Sequence, residues 1–175
     1  MALNQNSRDF LFTEAMVVWM HRLAPSPEPA VLIAAWGHTL RRWEIPRDTY
    51  PKTTPGYHAW RKALAEHSAK AVDGILAEEK TEEVLRARVL KLIQHFRSPC
   101  DEASQLLEDA DCLAFLELKL DDYLDEWDEV KTIRILKGTL EKMSPKARER
   151  AGEISYSAKA RGLIAKAVGE LEEKS

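Results

Sequence analysis

At 175 residues, with 45% hydrophobic and 31% charged residues, the chain is long enough to bury a core and too hydrophobic for a disordered protein. Its formal net charge of −3 gives no basic total of the kind that favours nucleic-acid binding. The longest weakly polar stretch, residues 15–20, is far shorter than the roughly 20 residues that a membrane-spanning helix needs. We therefore expect a soluble protein that binds neither nucleic acid nor a membrane.

The N-terminal residues and the cysteines bear on the cellular compartment. The N-terminus lacks the basic and then apolar segments of a signal peptide. Cys100 and Cys112 are the only cysteines, and they form no CxxC pair, so no thiolate zinc site or thioredoxin-like motif is predicted. Both are expected to be reduced thiols that act as small hydrophobic residues. The sequence therefore predicts a cytoplasmic protein.

Apolar residues recur at helical spacing between the prolines, without an alternating pattern typical of a β-strand and without an internal repeat. The sequence therefore predicts an all-α fold, a single compact bundle of about seven to eight helices over residues 1–175. The connection 43–56 is long and contains three prolines, so we expect it to carry function. The predicted helices cover about 9–23, 28–42, 57–77, 81–96, 102–126 and 128–142, then a short helix beginning at Ser144 and Pro145, and 156–172.

Three predicted helices each carry one polar residue in an otherwise apolar stripe. Asp109 interrupts the stripe of the predicted fifth helix, His67 that of the third and His38 that of the second. A buried carboxylate costs several kcal/mol unless it is paired, hydrogen-bonded or metal-bound. Imidazole nitrogens and a carboxylate oxygen from separate helices suit a divalent metal ion. A hydrogen bond between His and Asp would satisfy both groups without a metal, and both interpretations stay open because the sequence does not show whether the residues converge.

The 43–56 connection and its flanks concentrate arginine and aromatic residues. Guanidinium groups bind phosphate or carboxylate through two parallel hydrogen bonds, and aromatic rings offer stacking faces. This composition predicts a site for a small anionic metabolite over the region of the two helical histidines. The alternative is a tethered loop whose arginines pair with Glu44, Asp48 and the acidic fifth helix. The residues predicted to contact the metabolite are Arg41, Arg42, Trp43, Arg47 and Arg61.

Four segments resemble the family named domain of unknown function 4202: GHTLRRWEIPR (37–47), GYHAWRKALAEH (56–67), LEDADCLAFLE (107–117) and LEKMSPKAR (140–148). The resemblance extends from about Leu11 to Ala151. It implies a small helical protein and no particular reaction, because the family has no established activity.

More distantly, the sequence is similar to the HD-domain metal-dependent phosphohydrolases, through AAWGHTLRR and LEDADCLAF. That similarity implies an HD-domain-like fold and one divalent metal ion as cofactor. His38 and Asp109 would be metal ligands, and His67 would be an accessory ligand or a phosphate contact.

The sequence departs from the HD pattern at two of the expected ligand positions. Thr39 stands where the paired Asp is expected, and Phe12 lies near the position of the first His. A metal site would therefore have to recruit another ligand, such as His95 or Glu108, or the pocket would bind its ligand without a metal.

Two functional hypotheses follow. In the first, the protein is a metal-dependent hydrolase with a degenerate HD-type site, in which the metal or catalytic His67 and Asp109 activate water. Its substrate would be a small phosphorylated or carboxylated metabolite. In the second, the protein is a non-catalytic ligand-binding or protein-interaction domain, and His67 and Asp109 form a structural core pair. The oligomeric state is not predicted.

Overall fold

The computed structural model describes residues 5–94 and 101–173. All regular secondary structure in these two ranges is helical, which confirms the predicted all-α class. Within the same ranges, no helix combines the length and the hydropathy needed to cross a membrane. His95 and Cys100 lie outside the described residues.

Nine α-helices and two short 3-10 helices follow one another along the described residues. The 3-10 helices, Arg42–Glu44 and Arg47–Thr49, lie in the connection that the sequence predicts to carry function. The α-helices are α1 (Gln5–Leu23), α2 (Pro29–Gly37), α3 (Thr54–Glu78), α4 (Glu83–Gln94), α5 (Glu102–Leu118), α6 (Leu120–Leu124), α7 (Glu129–Lys142), α8 (Pro145–Ala151) and α9 (Ala158–Glu172).

Several helix boundaries differ from the prediction. Helix α1 begins at Gln5 instead of about residue 9, and α2 ends at Gly37 instead of about residue 42. Two further differences have a local reason. The predicted 102–126 helix is interrupted at Lys119, whose backbone (φ −121°, ψ −22°) departs from the α-helical values and separates α5 from α6. Helix α3 begins three residues earlier than predicted because Thr53 caps it. The Thr53 hydroxyl oxygen accepts a hydrogen bond from the Gly56 backbone N at 3.2 Å.

Two other N-caps follow the sequence rules directly. Asp128 caps α7 by accepting from the Lys131 backbone N, and Ser144 caps α8 by accepting from the Ala147 backbone N. The helix start predicted at Ser144 and Pro145 is therefore confirmed.

The chain divides into two compact units, residues 1–25 with 108–175, and residues 26–107. The predicted single domain stays a prediction. In the first unit, α7 packs against α9, and buried side chains come from α1, α5 and α7, among them Trp19, Leu113 and Leu136. In the second unit, α2, α3 and α4 pack on one another. Gly37 permits the close packing there, because a Cβ on it would lie 2.6 Å from Cγ2 of Val72.

Arg88 of α4 connects three segments of the second unit. Its Nε donates to Oε1 of Glu28 at 2.9 Å, and its Nη1 donates to Oδ2 of Asp101 at 2.7 Å. The backbone N and hydroxyl of Ser104 both donate to Oδ1 of Asp101 at 2.9 Å. The Arg88 guanidinium, together with these Ser104 hydrogen bonds, holds the pKa of Asp101 well below its usual value.

The lowered pKa of Asp101 predicts how stability depends on acid. The ionised carboxylate stabilises the fold above its unfolded pKa of about 3.9, and that contribution is lost as the pH falls through the lower folded pKa. Since Asp101 is partly exposed and screened by solvent, Asp101→Asn should lower the free energy of unfolding at pH 7 by only about 1 kcal/mol. The substitution should also flatten the fall in stability below about pH 4.

Urea denaturation of both proteins at neutral and acidic pH measures this effect. The matched control, Glu79→Gln, removes an exposed carboxylate of the same unit and should shift stability by less than about 0.5 kcal/mol. An acid profile that Asp101→Asn leaves unchanged would contradict the interpretation.

Candidate functional site

His38 lies directly after α2 and is 5% exposed. Its Nδ1 lies 2.7 Å from the carbonyl oxygen of Ala35, and its backbone N donates to the carbonyl of Ala34 at 2.8 Å. A contact between Nδ1 and a backbone carbonyl fixes the orientation of an imidazole, both in protein cores and in metal sites. The geometry of His38 therefore fits either role.

His67 lies on α3 beside the first 3-10 helix. Its Nε2 is 2.9 Å from Oε2 of Glu44. Nε2 is buried and does not form a hydrogen bond with this oxygen despite the short distance, and the contact is an ion pair only when the imidazole is protonated. Glu44, which the sequence predicts as a partner of the arginines, is thus also the partner of this histidine.

Asp109 lies on α5 and is 4% exposed. Its Oδ1 accepts from the Ser144 backbone N at 2.8 Å, and its Oδ2 accepts from the Ser144 hydroxyl at 2.6 Å. The same hydroxyl accepts from the Ala147 backbone N at 3.2 Å. The carboxylate therefore anchors the capped N-terminus of α8, where the unpaired backbone N–H groups and the helix dipole favour negative charge.

Glu108 is a buried charged residue that the sequence analysis names only as an alternative metal ligand. It is 1% exposed, and its Oε1 lies 3.9 Å from Nζ of Lys142 on α7. Four consecutive residues of α5, 107–110, are buried, which is more than a full turn. A helix buried on all sides has no single apolar stripe, so a search for interrupted stripes finds Asp109 and passes over Glu108.

The three residues of the predicted metal site do not all lie in one unit of the chain. His38 and His67 belong to the second unit and Asp109 to the first, and each has a protein partner in its own unit. Across residues 5–94 and 101–173, no three His, Cys, Asp or Glu side chains are grouped to hold a metal ion. Phe12 is buried, and Nζ of Lys119 lies 3.8 Å from its ring centroid. The divalent metal stays a prediction.

Residues 40–47, here called the arginine turn, are held against α3 at three points. The Ser68 hydroxyl donates to the carbonyl of Leu40 at 3.1 Å, and the Trp60 indole N–H donates to the carbonyl of Ile45 at 2.9 Å. The third point is the contact between His67 and Glu44 described above. The turn is therefore fixed on a long helix rather than suspended in solvent.

Three guanidinium groups surround one buried ring. The indole of Trp60 is 4% exposed, and the guanidinium carbons of Arg42, Arg47 and Arg61 lie 5.2, 5.8 and 5.8 Å from its centroid. Residues 37–62 contain six Lys and Arg against two Asp and Glu, although the whole chain has a net charge of −3. The structure thus brings together three of the five residues predicted to contact an anion.

Arg47 also closes the connection behind the turn. Its Nη1 donates to the carbonyl of Tyr50 at 3.0 Å, and its Nη2 donates to the carbonyl of Pro51 at 3.1 Å. Its guanidinium lies 5.9 Å from the ring centroid of Tyr57, at the start of α3. Arg47 is therefore partly occupied by the loop itself, which agrees in part with the tethered-loop alternative.

The two other predicted contact residues, Arg41 and Trp43, are exposed. Arg41 has a left-handed backbone conformation (φ 56°, ψ 31°). Neither side chain makes a hydrogen bond, ion pair or ring contact with any residue that the structure describes. Both are thus presented to solvent on a turn whose backbone is anchored.

Comparison with known proteins decides the family. The sequence profile described as Domain of unknown function (DUF4202) matches residues 2–164. These residues include the arginine turn, His38, His67 and Asp109. The chain belongs to the DUF4202 family. No curated protein and no solved structure matches it significantly. The predicted membership in DUF4202 is therefore confirmed, and the more distant similarity of this DUF4202 protein to HD-domain phosphohydrolases stays a prediction.

Proposed function

We propose that this DUF4202 protein is a non-catalytic binding protein for a small anionic metabolite, and that the arginine turn with Arg61 forms the anion-binding surface. The observation that supports the proposal is the gathering of three guanidinium groups within 5.8 Å of the Trp60 ring centroid. Guanidinium groups bind phosphate and carboxylate in a planar, bidentate geometry.

The electrostatics of the cluster favour an anion. The three guanidinium groups that contact the Trp60 indole carry like charges, which repel one another. An anion bound among the guanidinium groups would relieve this repulsion. Because the turn is already anchored to α3 at three points, little conformational entropy is lost when the anion binds.

In this proposal, His67 and Asp109, which the hydrolase hypothesis makes catalytic, support the fold instead. Glu44 and His67 hold the arginine turn against α3, and Asp109 holds the start of α8. The buried Asp109 carboxylate accepts two hydrogen bonds from Ser144, as buried polar groups require.

A hydrolase is the second candidate, and one observation favours it. A carboxylate next to an imidazole, as in the Glu44–His67 pair, can orient the ring so that its other nitrogen accepts a proton from water. In that version the arginines would hold the substrate while His67 acts as a general base.

Calorimetric titration with inorganic pyrophosphate and with citrate, both in excess EDTA, tests the proposal. We expect at least one of these anions to bind in the presence of the chelator, because guanidinium groups rather than a metal hold it. Arg61→Gln should weaken that binding about tenfold, the value of one charge-assisted hydrogen bond. Arg134→Gln removes an exposed arginine of the first unit and should leave the affinity unchanged.

Three results would overturn the proposal. If neither anion binds, the arginine turn is not an anion site. If an anion binds in a parallel titration without EDTA but not with it, the metal-dependent version is correct instead. If pyrophosphate is converted to phosphate and His67→Ala abolishes that conversion, the protein is a hydrolase.

A further inference from the structure

The arginine turn exposes an aromatic ring that anion binding alone does not use. Trp43 is 59% exposed, the most exposed aromatic side chain among residues 8–94 and 101–173. It lies inside the first 3-10 helix, directly between Arg42 and Glu44, where the backbone is anchored on α3. An indole that stays in water gives up the large stabilisation that burial of an aromatic ring provides. A flat ligand surface would recover it.

Arg41 occupies a backbone position at which glycine would be less strained. Its φ of 56° lies in the left-handed region, which L-residues other than Asn and Asp seldom adopt. Lys80 is the other non-glycine residue with positive φ in the described ranges, and there the conformation closes α3 through a hydrogen bond from Thr81 N to Leu76 O at 2.9 Å. At Arg41 the conformation lies within a turn that a hydrogen bond from Arg42 N to Thr39 O closes at 3.0 Å, and this turn leaves the Arg41 side chain exposed.

We propose that the ligand is a nucleotide, with its base stacked on Trp43 and its phosphates bound by Arg41 and the guanidinium cluster. This inference rests on the proposed function, because it concerns the ligand of the same surface. A simple anion would contact the arginines and leave the indole exposed. A nucleotide carries a planar ring and several negative charges in one small molecule, so it uses both features.

The number of arginines favours a di- or triphosphate over a single carboxylate. Four guanidinium groups, those of Arg41, Arg42, Arg47 and Arg61, belong to the turn or face the ring beside it. One carboxylate can engage one fork, whereas a diphosphate offers oxygens to several. Stacking on an indole tolerates any base, so we expect purine and pyrimidine nucleotides to bind with similar affinities.

The test compares ADP, pyrophosphate and adenosine by calorimetry in excess EDTA. ADP should bind about tenfold more tightly than pyrophosphate, the gain that stacking of one base supplies. Trp43→Ala should reduce ADP affinity to the level of pyrophosphate and leave pyrophosphate affinity unchanged. Trp36→Ala removes another indole of the same unit, which is 45% exposed, and should change neither the ADP affinity nor the pyrophosphate affinity.

A second pair of variants tests the phosphate contact. Arg41→Gly removes the guanidinium at a position where glycine adopts the backbone conformation without strain, and it should weaken both ADP and pyrophosphate about tenfold. Lys80→Gly removes a cation at the other positive-φ position and should weaken neither. Lys80 is far from the arginine turn. It lies 12 residues beyond Ser68, which holds the turn on α3, and 12 residues of helix span about 18 Å.

The outcomes separate the two proposals. If ADP and pyrophosphate bind equally and Trp43→Ala has no effect, the nucleotide inference is wrong and the anion site stands. If neither ADP nor pyrophosphate binds, both are wrong for these anions. If adenosine binds as tightly as ADP, the phosphates are not recognised and the inference is overturned.

Discussion

Gly56→Ala should lower the free energy of unfolding by about 3 kcal/mol. A Cβ on Gly56 would lie 2.2 Å from the carbonyl oxygen of Pro51 and 3.0 Å from its Cβ. The first of these is a backbone atom, so the clash cannot be relieved by rotation of a side chain. The same carbonyl oxygen accepts a hydrogen bond from Arg47, so its displacement should also disturb the guanidinium cluster and weaken anion binding.

Urea denaturation and pyrophosphate titration measure the two effects of Gly56→Ala. Gly74→Ala is the matched control on the same helix, since a Cβ there has nothing within 4 Å. Alanine is the better helix former, so this variant should gain about 0.5–1 kcal/mol of stability and keep its affinity. If Gly56→Ala is as stable as the wild type, the close approach of Pro51 to α3 is wrong.

Asp109→Ala should also lower the free energy of unfolding by about 3 kcal/mol. The substitution removes the acceptor for both the backbone N and the hydroxyl of Ser144, and it leaves the start of α8 without its anchor. Asp109→Asn keeps one acceptor oxygen but loses the charge, so we expect about half of that loss. The predicted effect arises entirely from the fold, and anion affinity should not change while the protein remains folded.

The control for Asp109 is Asp122→Ala, which removes an exposed carboxylate of α6 and should shift stability by less than about 0.5 kcal/mol. Urea denaturation gives the stability of each variant, and pyrophosphate titration well below its melting temperature gives its anion affinity. If Asp109→Ala retains its stability but loses ligand or metal binding, Asp109 is a site residue and the structural interpretation is wrong.

The helical class and the start of α8 could be predicted because the signals are local, whereas α4 begins at Glu83 and not at the predicted Thr81. Ser144 followed by Pro145 marks a helix start within two residues, and the structure begins α8 there. The break at Lys119 has no such signal, because the surrounding leucines and charged residues all favour a continuous helix. The sequence therefore predicted one long helix where the structure has α5 and α6.

The partners of the buried polar residues depend on contacts between distant residues. Asp109 was correctly predicted to be buried, but its partner Ser144 lies 35 residues away. A usable signal was present, since the N-cap of a helix presents unpaired N–H groups that favour a carboxylate. The sequence alone could not choose among this helix start, a histidine and a metal ion, because it contains no distances.

The arginine cluster was predicted in composition but not in arrangement. Trp60 was expected both in an apolar stripe and among the aromatic residues that flank the connection. Its role as the ring that three guanidinium groups share depends on how the turn folds back onto α3. The strained backbone of Arg41 likewise has no signature in the residue type. The residues could thus be named from the sequence, and their roles could not.

The central claim is that the arginine turn binds an anion while Asp109 supports the fold. Pyrophosphate affinity and urea stability, measured side by side for Arg41→Gly and Asp109→Asn, test it most directly. The account predicts that Arg41→Gly loses about tenfold in affinity and keeps its stability, whereas Asp109→Asn loses stability and keeps its affinity. The opposite pattern, with affinity lost in Asp109→Asn and retained in Arg41→Gly, would contradict it.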